Sequence, residues 1–307
     1  MNGRRPGLVV ACVLILTGSV LAEGRPANRA ERSIFLTALD KDNAPIRGLQ
    51  AADFVVREDG EKREIVSVAA PVDPLFVSLL VDTSQPPIGV ASPVQDLRKS
   101  LLTFVSTVHG ASADAQIALI EFAGAAVTTV NFTKDTAALE KQIKRVFPSQ
   151  RSSGVMLEAF MEASKALGKR VSPRRAIVSL NFASVEASTL APKNVADEIR
   201  KSGATVWAVS VLGASEASAF QAGANALDNK LSPTRELILN VSTDATGGMR
   251  LTAVSPTALE GMMKKIADCL TSQYVVTYAQ PAGTPRQTQI TPSARGAAKV
   301  LMAPWMQ

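Results

Sequence analysis

Leu75-Phe76-Val77-Ser78-Leu79-Leu80-Val81-Asp82-Thr83-Ser84 is the stretch on which the fold turns. From Leu75 to Val81 only Ser78 is polar, and the run ends on a carboxylate. A continuous apolar run marks a strand covered on both faces, as in a parallel sheet, whereas a half-exposed antiparallel strand alternates. Downstream, similar short runs recur at Gln116 to Phe122, Ala176 to Leu180 and Thr205 to Leu212, with Val127 to Phe132 as a further strand across the turn at Gly124. Helical periods separate them. Ser92 as N-cap and Pro93 at the first helical position open a helix whose Leu97, Leu101, Phe104, Val105 and Val108 share one face. Leu139, Ile143 and Val146 mark a second helix, Leu157, Phe160, Met161 and Leu167 a third, Val195 to Lys201 a fourth, and Leu237 to Ala245 another that Thr246-Gly247-Gly248 ends. Gly213 to Lys230 has weak periodicity and reads as a surface loop with one helical turn. The alternation predicts an α/β fold with a doubly wound, mostly parallel sheet.

Upstream of Pro74 the pattern shortens. Ser33 to Leu39, Phe54 to Glu58 and Glu64 to Val68 are strand-like, separated by turns at Asp42 to Pro45 and Asp59-Gly60, and predict a small β unit over residues 32–70. The wound domain is assigned to 74–279, including a strand at Gln273 to Tyr278. Residues 280–307 form a tail with strand-like patches near Thr288 to Ile290 and Val300 to Met302.

The first 22 residues read as an export signal: Arg4 and Arg5, an apolar run from Leu8 to Leu16, and Val20-Leu21-Ala22 before the cleavage point. The expected mature N-terminus is Glu23, and the expected location periplasmic or secreted. The apolar stretch from Gly7 to Ala22 is shorter than the roughly 20 residues of a spanning helix, so a membrane contact is expected only through this segment if it stays uncleaved. Cleavage would leave Cys269 as the one cysteine, excluding an intramolecular disulfide, and its place beside the row Leu259, Met262, Met263, Ile266 and Leu270 predicts burial.

With 307 residues, 46% of them apolar, the chain is too hydrophobic to be disordered. Its formal charge of +6 falls to about +4 without Arg4 and Arg5, and interspersed acids leave no basic stripe for nucleic acid. His109 is the only histidine and stands beside Gly110 at a helix end. No Gly-x-Ser-x-Gly elbow, Ser-x-x-Lys pair, Walker loop or Gly-x-Gly-x-x-Gly fingerprint is present. An enzyme would have to use an unrecognised site, and no catalytic residue is assigned.

The order of elements resembles the von Willebrand A domain. Gly48-Leu49, Asp53-Phe54 and Glu58-Asp59-Gly60 before the domain, Thr246-Gly247-Gly248 late in it, and Gln273 to Tyr278 after the last helix are similar to an exported, VWFA-related subfamily of acidobacteria. The resemblance implies a divalent-cation site at the C-terminal edge of the sheet, built from Asp-x-Ser-x-Ser, a Thr from a second loop and an Asp after a later strand. Such oxygen ligands suit Mg²⁺. Asp82 and Ser84 match the first two positions, but Pro86, Gly154 and Phe182 stand at the others, with Ser152 and Ser153 as nearby substitutes and Asn181 and Glu186 within reach. The candidate ligands are therefore Asp82, Ser84 and Ser153 in a degenerate site, with weak Mg²⁺ binding at most and no other cofactor. Asp82 also reads as a strand-end carboxylate capping the turn from Thr83 to Pro86. Pro86, Pro87, Ile88 and Phe182 are assigned to an apolar edge that suits a protein partner. The expected function is an exported, non-catalytic protein-binding or scaffolding module. The alternative is a Mg²⁺-dependent adhesion module using Asp82 and Ser84.

Overall fold

The structure, a computed structural model, describes residues 30–86, 93–149, 152–183, 185–222, 232–280 and 289–304. Four strands come first: β1 (Ala30–Leu39), β2 (Phe54–Glu58), β3 (Glu61–Arg63) and β4 (Ile65–Ala69). Next are β5 (Phe76–Asp82), α1 (Val94–Ala111), β6 (Gln116–Phe122), β7 (Ala126–Thr133), α2 (Thr136–Ile143), α3 (Met156–Gly168) and β8 (Arg175–Phe182). They are followed by α4 (Pro192–Ser202), β9 (Thr205–Val211), α5 (Ala214–Ala222), α6 (Pro233–Ala245), β10 (Met249–Ala253) and α7 (Leu259–Thr271). The last strands are β11 (Tyr274–Gln280), β12 (Ile290–Ala294) and β13 (Lys299–Met302).

The central sheet has the order β10-β9-β8-β5-β6-β7. All its pairings are parallel except β6 with β7 at one edge. The apolar runs read from the sequence lie side by side in it as β9, β8, β5 and β6, and every residue of β5, β8 and β9 is buried. Strand alternation divides those side chains between two layers. Val77, Leu79 and Val81 join Leu97, Leu101 and Phe104 of α1 and Met263, Ile266 and Leu270 of α7 in one core. Phe76 and Leu80 join Phe160 of α3, Ile199 of α4 and Leu239 of α6 in the other. Each such side chain contributes about 1.5–3 kcal/mol by leaving water, so the two layers fix the sheet between them.

Local chemistry sets the helix ends. Ser92, expected to cap α1, lies outside the described residues, and α1 begins directly after Pro93. The segment read as a loop from Gly213 holds the nine-residue helix α5. Its alanines favour helix strongly yet supply no apolar stripe, which is why periodicity missed it. Helix α6 starts at Pro233 behind Ser232, about one turn before the expected Leu237. After α6, the Thr246 hydroxyl donates to the Ser242 carbonyl (2.6 Å) and accepts from the Val206 amide (2.8 Å), and Gly247 takes φ +65°. A Cβ at Gly248 would overlap the Val206 carbonyl, so the pair of glycines lets the helix stop flush against β9.

The remaining strands form two further sheets, β13-β1-β11-β4 and β12-β2-β3. Strand β11, which follows the last helix of the wound part, pairs with β1 and β4, so it completes the sheet of the N-terminal strands. The tail adds β13 to β1 and β12 to β2. Ile34, Leu36, Phe54, Val56, Val276 and Tyr278 form the core these sheets share. Inside it Glu58, fully buried, accepts from Arg32 (3.0 Å), Arg63 (3.1 Å), the Tyr278 hydroxyl (3.1 Å) and Gln280 (2.9 Å). Burial pushes the Tyr278 hydroxyl up to about 12.

Candidate functional site

Parallel pairing brings the C-terminal ends of β5 and β8 together, which sets Asp82 beside Asn181 and Phe182 at the centre of the sheet's C-terminal edge. Asp82 is fully buried. Its Oδ1 accepts from the Ser84 amide (2.9 Å) and the Ser84 hydroxyl (2.5 Å). This is the turn-capping geometry of a strand-end aspartate. Its Oδ2 accepts from the Phe182 amide (3.0 Å) and from Nη2 of Arg235 (3.2 Å).

Arg235 comes from the first turn of α6 and is 2% exposed. Its Nη2 also donates to the Phe182 carbonyl (2.6 Å) and, at 3.5 Å, to the Asn181 side-chain oxygen. Its Nη1 donates to Glu186 Oε2 (3.1 Å). Glu186 is as deeply buried, its side chain 3% exposed. Its Oε1 accepts from the Met156 amide at the start of α3 (3.1 Å), from the Ser188 amide (3.1 Å) and from the Ser188 hydroxyl. One guanidinium therefore lies between two carboxylates. The remaining negative charge is met by backbone N–H donors, one of them at a helix N-terminus where the dipole favours it.

The polar network continues along the edge. Asn181 accepts from the Ser210 hydroxyl (3.0 Å), Ser210 accepts from Arg250 Nε (3.3 Å), and Arg250 makes a two-pronged pair with Glu236 of α6 at 2.5 and 2.9 Å. On the other side, the Ser149 amide donates to the Thr83 carbonyl and the Gln85 amide to the Ser152 carbonyl.

The residues named from the sequence occupy different places around this edge. Ser84 is buried on Asp82, while Ser153 is exposed. Gly154 pairs with Glu186 in an isolated parallel bridge, which holds Glu186 over the edge. Pro86 is half-buried, and Pro87 and Ile88 lie outside the described residues. Phe182 requires a correction: its side chain is 1% exposed and sits in the core, so it offers no apolar surface at the edge and only its backbone takes part. Arg235 was missed altogether. The signal for it was Ser232-Pro233, an N-cap followed by proline at the first helical position, which would have extended the helix back to include it.

His109 packs its ring between the Thr136 hydroxyl (2.8 Å) and the Ala115 carbonyl (3.2 Å). Cys269 is buried, and its thiol is pushed up to about 12, first by desolvation. Among the described residues, no three His, Cys, Asp or Glu side chains converge as a metal-ligand group.

The sequence predicted a doubly wound, mostly parallel sheet; the structure has one of six strands with a single antiparallel edge, helices on both faces and an aspartate closing a central strand. The wound domain has a von Willebrand A-like fold. No family model and no curated protein matches the chain. Solved structures similar to it include a von Willebrand factor type A protein from Catenulispora acidiphila, at 10% identity and TM-score 0.47, covering 92% of this chain and 76% of that one. Another is the vWF domain of the type V pili tip protein Mfa5 from Porphyromonas gingivalis, at 13% identity and TM-score 0.45, covering 64% and 95%. A third is the PilB minor pilin from Streptococcus sanguinis, at 11% and 0.46, covering 65% and 62%. Within the von Willebrand A-like domain, the edge around Asp82 is the place where the resemblance puts a cation.

Proposed function

We propose that this chain is an exported, non-catalytic protein-binding or scaffolding module of the cell envelope that engages its partner without a divalent cation. The observation that carries this reading is the buried guanidinium of Arg235 on Asp82. Of the ligand positions the resemblance implies, Asp82 and Ser84 remain, and the Ser84 hydroxyl is given to Asp82 itself. Pro86, Gly154 and Phe182 bring no side-chain oxygen. Mg²⁺ needs near-octahedral oxygen ligands and sheds water reluctantly; here it would meet two carboxylates, Asp82 and Glu186, whose oxygens are already engaged by Arg235 and by backbone and hydroxyl donors, and a resident positive charge. The residues present do not fit it.

Support for a non-catalytic role comes from the groups that could do chemistry. The His109 ring is held by Thr136 and Ala115. The Cys269 thiol, buried and raised to about 12, is no thiolate near neutral pH. Export rests on Arg4, Arg5 and the apolar run to Ala22, which lie outside the described residues; N-terminal sequencing of the envelope or secreted protein should read Glu23.

The deciding experiment is a calorimetric titration of the protein with millimolar Mg²⁺ and Mn²⁺, paired with thermal melts in EDTA and in Mg²⁺. Flat titrations and equal midpoints are expected, because a bound ion raises the midpoint by mass action. Saturable binding at physiological Mg²⁺ that Asp82→Asn abolishes would overturn the reading in favour of the adhesion alternative.

A further inference from the structure

We propose that Arg235 is the built-in cation of this site, a covalently supplied positive charge standing where an exchangeable ion would otherwise be needed. The inference rests on the cation-independent reading above and gives it a cause. Two carboxylates, Asp82 and Glu186, reach the same buried edge from different elements, the end of β5 and the segment after β8. Left alone, two such charges out of water repel each other and are poorly solvated. A divalent ion is one remedy. A guanidinium is another, and its planar fork matches the two acceptors in direction, with Nη1 facing Glu186 while Nη2 faces Asp82 and the Phe182 carbonyl.

Neither Asp82 nor Glu186 is on the element that carries Arg235, so the charge ties four parts of the chain. It joins the first turn of α6, the ends of β5 and β8, and the segment around Glu186 that bridges to Gly154. An ion can leave or exchange a water for a partner's carboxylate; this group can do neither. The edge is closed, and a partner must be recognised by the surface around it.

Removing the guanidinium should therefore uncover a latent cation site. Arg235→Met keeps much of the length of the side chain, takes away its charge, and leaves Asp82 and Glu186 facing each other with Asn181 and the Phe182 carbonyl as further oxygen donors. In EDTA the variant should melt below wild type. Mn²⁺ at about a hundredfold over its Kd should then raise the variant's midpoint by about 5–10 °C, while wild type stays unmoved.

Combining Arg235→Met with Asp82→Asn and Glu186→Gln removes all three charges. That protein should lose the Mn²⁺ response and regain part of the stability in EDTA. If Arg235→Met alone does not fold, its refolding yield with Mn²⁺ against EDTA reads the same quantity. A variant that melts like wild type and ignores Mn²⁺, or an equal refolding yield in both buffers, would overturn the assignment of Arg235 while leaving cation independence of the wild type standing. A wild type that binds Mn²⁺ as tightly as the variant would overturn both.

Discussion

Asp82→Ala is the substitution whose cost the geometry sets most directly. It removes the acceptor used by the Ser84 amide and hydroxyl, the Phe182 amide and Arg235. Asp82 is fully buried and Arg235 is 2% exposed, so water cannot take over for either partner. Breaking a buried pair by deleting one side costs about 3–5 kcal/mol. Arg235 keeps Glu186 and the Phe182 carbonyl, which places the loss near the lower end, about 3 kcal/mol. For a domain of this size about 2–4 °C of midpoint is lost per kcal/mol, so melts followed by circular dichroism should shift down by about 6–12 °C. A double-mutant cycle with Arg235→Met should show a coupling of about 1–3 kcal/mol. A melt within about 1 °C of wild type, or additive single effects, would refute the claim that the pair holds this edge.

Gly248→Ala should cost about 1–3 kcal/mol in denaturant titrations, because its Cβ meets the Val206 backbone carbonyl, which cannot move aside. Gly110→Ala, whose Cβ would meet nothing within 4 Å on helix α1, is the control and should be neutral or slightly stabilising. Alkaline pH should weaken the fold. Burial holds the Cys269 thiol and the Tyr278 hydroxyl at about 12, whereas their ordinary values are 9.0 and 10.0. Both stay protonated in the native protein while the unfolded chain ionises, so stability is intact below pH about 9 and is lost progressively towards about 12. Denaturation midpoints at pH 8 and 10.5 measure this, and a native Cys269 that reacts with a thiol reagent at pH 8 as fast as in denaturant would contradict its burial.

The wound sheet was legible because burial on both faces leaves a compositional mark: a strand such as β5 has little room for a polar residue, so its run can be read without a partner. The same holds for the helices with one apolar stripe, α1 and α3. Helix α5 lacked a stripe and was read as loop. The edge was half legible. Asp82 stood out because it ends an apolar run, but Arg235 contributes through a partner 153 residues away, and no local pattern encodes such a distance. Phe182 misled for a related reason. Its chemical type suggested contact with a partner, while the parallel register turns its side chain into the core and leaves its amide at Asp82. The end strands were visible except β12, which the patch read near Thr288 to Ile290 meets only at Ile290, and antiparallel pairs formed across the whole chain leave no trace in either strand's sequence.

That last pairing imposes an order of events. Ser33 on β1 and Thr277 on β11 share a hydrogen bond although 244 residues separate them. In an unfolded chain, closing a loop of that length carries a large entropy cost. Once the wound sheet has formed, the intervening chain is no longer a long random loop but a rigid insert, since β4 ends and β5 begins a few residues apart and β11 follows α7 with almost no spacer. The two end segments then meet as though joined by a short tether. Newly made protein should thus pass through a state with the wound sheet formed and the end strands still open. The backbone edges of β1 and β2 are exposed in that interval to pairing with another chain, and the pairing of β13 with β1 and of β12 with β2 covers them.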